Sequence, residues 1–506
     1  MYGELNAAVE EYDNLITGAM SGAKGSFDVE EMSTWEERWV DLNKQLGQWS
    51  VLKEYSENAN RAELLMDCSW KLRDWDNVRK MCGDPSVVAA LEGGAPKNKI
   101  HEIYLSIADG KLNEVEKLCA QCVQLALHNW QLLPPLSTGG EAHVELLRLF
   151  HRLVELRESG QIMVEVSNHN RNKTYPDLKN ILATWRERLP NKWDGLNVFD
   201  DLFTWRGHMF AAVTSNFSWI EPRSLATLHD RPWTAIRLSK IARKQNVKDV
   251  SLNSLSKLYS VSTMDVQDAF EKLREQIIAC KGSNTSRKGG LNIINNTNLD
   301  YFSPRQKAEL FRLKADFLGL LGGKQKANQA YCQATQICPT YGKSWLSWGE
   351  HCLLLAAHSS IDGEDKAEAK KDNGKKKQLQ FKAQAIGCFT ESVRCNYENA
   401  RPTLARCLWM VRDDGDSAGM LCDTLEEKGA GLPEWVWIPY IPNLLTSLGR
   451  IEGKAAKKLL EGVMKRYPQA LYYPLRSFYL QRRDVEGGAV KGTSGEAAEE
   501  VRRSDC

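Results

Sequence analysis

Cys119-Ala-Gln-Cys122 has the spacing of a redox or zinc-knuckle pair. Such a pair works when a lowered thiol pKa makes one sulfur nucleophilic, or when a second Cys or His pair completes four metal ligands. Here the pair falls inside an apolar helical stretch, follows no strand and has no second pair at matching spacing, so structural thiols are expected. His143 and His151 have no acidic residue arranged as in a zinc-protease helix. Gly322-Gly323-Lys324 has the composition of a phosphate loop but joins two helical patterns instead of a strand and a helix, so no anion cradle is expected. Asp316-Phe317-Leu318-Gly319 shares letters with a kinase metal motif, yet it sits mid-helix with the wrong spacing. No serine elbow or other nucleophile constellation is present. The sequence therefore predicts no catalytic, cofactor-binding or metal-binding residue.

Two short stretches ask for another kind of chemistry. Trp185-Arg186 and Trp205-Arg206 each set a tryptophan beside an arginine, the first near the break at Pro190. Such residues form buried cation–π braces between helices, and the same types dominate interface hot spots. Both roles remain open, with the internal one preferred. Tyr473 and Arg476, in the block Tyr472-Tyr473-Pro474-Leu475-Arg476, are further candidates for bracing or partner contact. Lys375-Lys376-Lys377 reads as a solvated charge run, with a nuclear localisation signal as the alternative.

Helical hairpins would have to position these side chains. Ala327, Tyr331, Ala334 and Pro339 fall at offsets 0, 4, 7 and 12, the second-helix signature of a tetratricopeptide-type hairpin. A small residue lets two helices approach, the aromatic fills the groove, and the proline ends one helix and opens the next. Trp345 and Gly349 follow where the next first helix needs a large and a small residue. The spacing recurs as Ala456, Leu460, Val463 and Pro468, and in weaker form as Ala385, Phe389 and Ser392.

Composition agrees with a multi-hairpin chain. At 506 residues, 42% hydrophobic and 26% charged, the chain is too long for one ordinary core. With 67 basic and 65 acidic residues the net charge is +2, so nothing global draws it to nucleic acid or to an anionic membrane. No apolar run reaches the roughly 18 residues of a transmembrane helix. No secretory signal is visible at the N-terminus. Thirteen scattered cysteines without a framework point to a reducing compartment. Sixteen tryptophans point to large inter-helix contacts.

Along the chain, residues 1–30 are expected to hold a partial hairpin and a loop from about 17. Ser33 with Glu36 reads as a capping box that opens a helix, and Ser262 with Asp265 as another. Leu46-x-x-Trp49-x-x-Leu52 returns as Leu72-x-x-Trp75-x-x-Val78, which predicts Trp49 and Trp75 as inter-helix core. Val144, Leu147, Phe150 and Val154 mark an apolar helix face. Helical repeats are expected over 31–280, a flexible loop over 281–299, and tetratricopeptide-like repeats over 300–482. A disordered insert is expected at 361–380 and a disordered tail at 483–506. The fold class is all-α, a superhelical solenoid of tetratricopeptide/HEAT-like hairpins.

The stretches Trp39–Tyr55, Thr184–Trp205 and Tyr472 to Leu480 resemble the FAT region of the TRRAP-like family, the pseudokinase branch of the phosphatidylinositol-3-kinase-related kinases. The likeness covers roughly residues 1–482. It implies a nuclear, non-enzymatic scaffold segment without cofactor, shared by SAGA-type and nucleosomal H4-type histone acetyltransferase complexes. Its implied partners are those complexes' subunits, transcription activators and the protein's own kinase-like domain, with no direct nucleic acid and no membrane. It also implies that this chain is a fragment, with a HEAT array upstream and a kinase-like region downstream missing. A FAT segment of an active kinase of the same superfamily, or an unrelated tetratricopeptide adaptor, are the alternatives.

Overall fold

Apolar residues recurring every three or four positions, with almost no β-type alternation, leave the backbone one way to satisfy its hydrogen bonds. In the computed structural model every regular element among the described residues is helical, from Leu5–Met20 to Pro468–Lys491, and no strand occurs among them. The structure describes residues 4–20, 29–90, 96–135, 140–172, 178–216, 231–260, 264–282, 284–361, 368–414, 419–450 and 452–491. The chain divides into two compact units, Met1–Ala279 and Cys280–Cys506. Within each unit, helices adjacent in sequence pack as neighbouring pairs, the pattern of an all-α solenoid.

One turn geometry recurs. The N–H of Arg61 donates to the carbonyl of Ser56 at 3.1 Å, Asp74 to Ser69 at 2.9 Å, Lys111 to Ser106 at 2.8 Å, Val247 to Ala242 at 2.9 Å and Gly323 to Leu318 at 2.9 Å. Each bond spans five residues across a left-handed residue: Asn60, Arg73, Gly110, Asn246 and Gly322. This is the Schellman closure, which satisfies carbonyls a helix end would otherwise strand. The next helix then starts within a few residues, so successive helices fold back on one another.

The spaced small and aromatic residues meet as expected. Ala327, Tyr331 and Ala334 are buried, as are Ala385 and Phe389, and Ala456, Leu460 and Val463. Pro468 opens the helix Pro468–Lys491. Helix Gly342–Ile361 lies against Glu368–Arg394, and Gly349 makes the approach possible. A Cβ at Gly349 would stand 2.6 Å from Phe389 Cε1. Ser303 caps Pro304–Leu320 through a full capping box with Gln306.

Elsewhere the local sequence misleads. Ser33 is no cap: the helix Val29–Leu46 begins earlier, with Glu30 and Glu31 in its first turn, where the helix dipole favours acids. Ser262 and residues 21–28 lie outside the described residues, while Leu5–Met20 carries helix into the expected loop. The segment 281–299 holds the helix Asn284–Asn296. Its Gly290, which reads as a loop residue, faces Cys280 and Phe317, each 3.0 Å from an added Cβ. That glycine is there for close approach. Within 361–380, helix resumes at Glu368, carried by good helix-forming Lys, Ala and Gln; 362–367 lie outside the described residues. Helix also runs past 483 to Lys491, extending an existing helix at little cost, and 492–506 lie outside the described residues. Trp49 and Trp75 open their helices half-buried, whereas Trp39 and Trp70 are the buried pair. Val144, Leu147 and Val154 point to solvent, and Leu153, Leu156 and Ile162 form the buried face of Glu141–Asn172.

Gly349→Ala should destabilise the second unit by roughly 1–3 kcal/mol, because Phe389 has nowhere to retreat. Gly387→Ala is the control: it lies in the partner helix with no atom within 4 Å of the new Cβ. There the gain in helix propensity should leave stability unchanged or raised by about 0.5–1 kcal/mol. Denaturant melts of the two variants give the comparison, and equal midpoints would show that the helices do not touch at Gly349.

Candidate functional site

Three helices of the first unit bring the tryptophan–arginine stretches together. Leu178–Glu187 supplies Trp185, Leu196–Asn216 supplies Trp205 and Arg206, and Glu141–Asn172 supplies Glu155 and Glu158. Neighbours on a helix point about 100° apart, so Trp205 and Arg206 serve different contacts. Arg206 is 1% exposed and grips Glu155, itself 0% exposed, through two bonds: Nε to Oε2 at 3.1 Å and an Nη2 bond to Oε1 at 2.5 Å. Nη2 also donates to the carbonyl of Arg188 at 3.2 Å. The guanidinium lies 5.5 Å from the Trp185 ring centroid. Trp185 Nε1 donates to Glu158 at 2.7 Å, and Arg188 donates to the other oxygen of Glu158 at 2.6 Å. Trp205 stacks on Tyr104, centroids 4.3 Å apart and planes at 20°.

The pairing is thus diagonal, Trp185 with Arg206. Arg186 is exposed and sits 5.2 Å over the ring of Trp233. Tyr473 is 74% exposed in the second unit, and Arg476 donates to Tyr472 Oη at 2.8 Å, not to Tyr473.

Sequence reasoning missed the charged partners. Burial pushes the Glu155 carboxyl up, but hydrogen bonds from His151 and Arg206 bring it below its usual range. One turn away, Lys71 is buried between Asp200 and Asp201, at 2.6 Å from the latter, and Asp201 also accepts from Arg152 at 2.7 Å. The Lys71 ammonium lies 4.7 Å from the Trp49 ring centroid and 5.0 Å from that of Trp70. Arg73 Nε donates to His208 Nδ1 at 2.6 Å, so His208 Nε2 carries the proton and donates to the carbonyl of Trp70 at 2.9 Å. Burial and then the nearby Arg73 charge push the His208 pKa down to about 4, and burial does the same to His101. The one available signal was an acid inside an apolar helical run, as at Glu155 and at Asp200-Asp201.

The second unit repeats the device. Glu309 is held by Arg312 at 2.6 and 2.9 Å, by Lys343 at 2.9 Å and by Tyr341 at 2.9 Å. Burial opposes its charge, yet those donors, Arg312 first, pull its carboxyl to about 2. Asp316, of the kinase-like letters, accepts from Arg312, Lys281 and Tyr331 at 3.0, 2.8 and 2.5 Å. Cys119 and Cys122 lie buried on one helix, with burial raising their thiols to about 11 and about 12, so neither is a thiolate at neutral pH. His143 packs on the edge of Trp130 and His151 approaches Glu155, so the two histidines face different partners.

The FAT domain family matches residues 62–409. The chain is 32% identical over 498 residues to the SAGA complex/NuA4 acetyltransferase complex subunit TRA1 of Saccharomyces cerevisiae, covering 94% of this chain and 13% of that protein. It is 30% identical to the corresponding Tra1 subunit of Schizosaccharomyces pombe, over 94% of this chain and 13% of that one. With the transformation/transcription domain-associated protein of Homo sapiens it shares 30% identity, over 92% of this chain and 12% of that protein. The chain therefore spans about an eighth of the length of these relatives.

Arg206→Ala should cost about 3–5 kcal/mol, because it takes the guanidinium from the buried Glu155 and leaves that acid only His151 nearby. The double change Arg206→Met with Glu155→Leu should recover most of that loss, since both charges leave together. Chemical melts decide the point, and a single variant as stable as the parent would show the pair to be solvated. The buried histidines set a pH dependence. Their folded pKa values lie below the unfolded value of about 6.5, so the unfolded chain binds their protons first. Stability is full above about pH 6.5 and falls as the pH drops towards about 4. Glu155, depressed in the fold, adds a further loss only below the ordinary glutamate range. Melting temperatures between about pH 7 and about pH 5 should decline, and His208→Gln, which keeps a donor and an acceptor, should flatten part of the decline. A flat parent profile would contradict the buried neutral imidazoles.

Proposed function

The chain belongs to the FAT domain family, and from that premise we propose that it is a non-catalytic scaffold segment of a TRRAP-like subunit of histone acetyltransferase complexes. The observation that carries the reading is the match to Tra1-type complex subunits over 94% of the chain. The arrangement of the charged groups supports it. The buried acids Glu155 and Glu309 and the partly buried Asp201 and Asp316 are each engaged by a cation from outside their own helix: Arg206, Lys343, Arg152 and Lys281 in turn. A general acid or base needs a proton it can exchange with a substrate, and these carboxylates are tied up in bracing.

Within this reading Trp185, Trp205 and Arg206 brace the first unit. Arg186, Tyr473 and Arg476, all exposed, contact partners. The partners are the other subunits of SAGA-type and H4-type acetyltransferase complexes, transcription activators and the protein's own kinase-like region. The place of action is the nucleus. Helical blocks over 31–280 and 300–482 present the surface, and each hairpin is held by its neighbours.

The full-length protein, tagged and recovered from nuclear extract, should bring down histone acetyltransferase subunits identified by mass spectrometry. Recovery with RNA-surveillance or growth-signalling factors and no acetyltransferase would instead move the chain to an active-kinase relative.

A further inference from the structure

Two half-buried cysteines of the second unit meet where one helical hairpin abuts the next. Cys338 follows helix Lys324–Ile337 and Cys395 follows helix Glu368–Arg394. Each begins a turn. The first turn is closed by the Tyr341 N–H, which donates to the Cys338 carbonyl at 3.1 Å, and the second passes through the left-handed Asn396. The first turn wraps around the Cys395 side chain. Cys395 Sγ donates to the Pro339 carbonyl at 3.3 Å, and Trp345 Nε1 donates to the same oxygen at 2.8 Å. Cys338 Sγ lies 3.5 Å from Thr340 Oγ1. A Cβ at Gly342 would stand 3.2 Å from Cys395 Cβ and 2.7 Å from Tyr397 Cβ, so glycine is what lets the two turns touch.

The sulfur of Cys395 thus rests on the residue next to Cys338, across a hairpin boundary. Cys352, Cys388 and Cys407 of the same unit are shut inside the core, out of reach of a soluble oxidant. Cys338 and Cys395 keep an open side. Burial and then the Glu391 charge hold the Cys395 thiol up, so little of it is thiolate at neutral pH. A thiol of that kind serves to complete a bridge that a neighbouring sulfur has begun. When Cys395 turns from Pro339 towards Cys338, the Pro339 carbonyl keeps its bond from Trp345, so the movement strands no acceptor.

We propose that Cys338 and Cys395 form a redox-sensitive clamp, a reversible disulfide between successive hairpins made by exchange with glutathione disulfide. The Cys338 thiolate attacks one sulfur of glutathione disulfide, which gives a mixed disulfide and releases one glutathione. Cys395 loses its proton and displaces the second glutathione. The S–S bond of the oxidant breaks, one S–S bond forms in the protein, and two glutathione thiols carry away the two protons. Excess glutathione reverses both steps. Where the glutathione pool is mostly reduced the thiols prevail, and the clamp closes as the pool is oxidised. Each hairpin of such an array is held by its neighbours, so a covalent tie at one boundary stiffens that interface. The inference stands on the geometry of these two turns and does not depend on the scaffold reading.

The test holds the whole chain in a series of glutathione redox buffers, blocks the remaining thiols with iodoacetamide and maps the disulfides by mass spectrometry. Under oxidising buffer, peptides joined through Cys338 and Cys395 should appear, and blocking of both residues should fall at least about tenfold. Dithiothreitol should restore the blocking. Closing so long a loop should raise the melting temperature of the oxidised chain by about 4 °C or more. Cys395→Ser keeps a donor for the Pro339 carbonyl and should show no rise on oxidation, and Cys338→Ser should show none either. Three results would overturn the proposal. One is a glutathione adduct that persists on the parent at either residue without the bridge. Another is either cysteine bridged to a different one. The third is a rise in melting temperature that survives Cys338→Ser.

Discussion

A guanidinium taken out of water has to be matched in charge and in hydrogen-bond geometry, and the arrangement around Arg206 follows from that requirement. Desolvating such a group costs several kcal/mol unless a carboxylate meets it squarely. Glu155 does so with two bonds, Trp185 covers the guanidinium face, and the Arg188 carbonyl takes a further N–H. These contacts come from three helices, so a slip of one helix along another would break several at once. The pair is worth more as a determinant of register than as a source of net stability, since a well-packed apolar pair would hold the helices about as firmly.

The first unit carries a second buried cation nearby, Lys71 between Asp200 and Asp201, and the second unit carries Arg312 between Glu309 and Asp316. Tyrosines finish the second cluster: Tyr331 donates to Asp316 and Tyr341 to Glu309. Around these polar centres the apolar contacts depend on small residues. Gly349 under Phe389 and Gly290 under Phe317 set how closely helices lie, and no larger residue fits at either place without movement of the aromatic ring. Charge thus fixes the register between helices, and glycine fixes their separation.

The tetratricopeptide spacing was legible because a small residue and an aromatic must alternate on any close helix pair, and Ala327, Tyr331 and Ala334 obey it. The full capping box at Ser303 was legible because Pro304 follows it; at Ser33 the same letters sit within a helix that had already begun. Helix Glu141–Asn172 shows why the site was harder to read. Its apolar residues Val144, Leu147 and Val154 face out, while Glu155 and Ser159 face in. Periodicity reports that a helix has an apolar stripe and carries no information on which partner lies opposite. An inward acid becomes intelligible only when its arginine arrives from a helix about fifty residues on, a relation that a single sequence read locally does not contain. The diagonal pairing of the two tryptophan–arginine stretches depended on that same distant packing.

The left-handed turn residues have a consequence for the unfolded chain. Asn60, Arg73 and Asn246 occupy positions where glycine would relax the backbone in the folded turn. Glycine would also give the denatured chain more conformations to lose, a difference of about 0.4–1 kcal/mol per site. A chain built of many hairpins in series closes turn after turn, so these small terms accumulate. By bearing local strain at such turns, the sequence limits the disorder from which the helices must assemble.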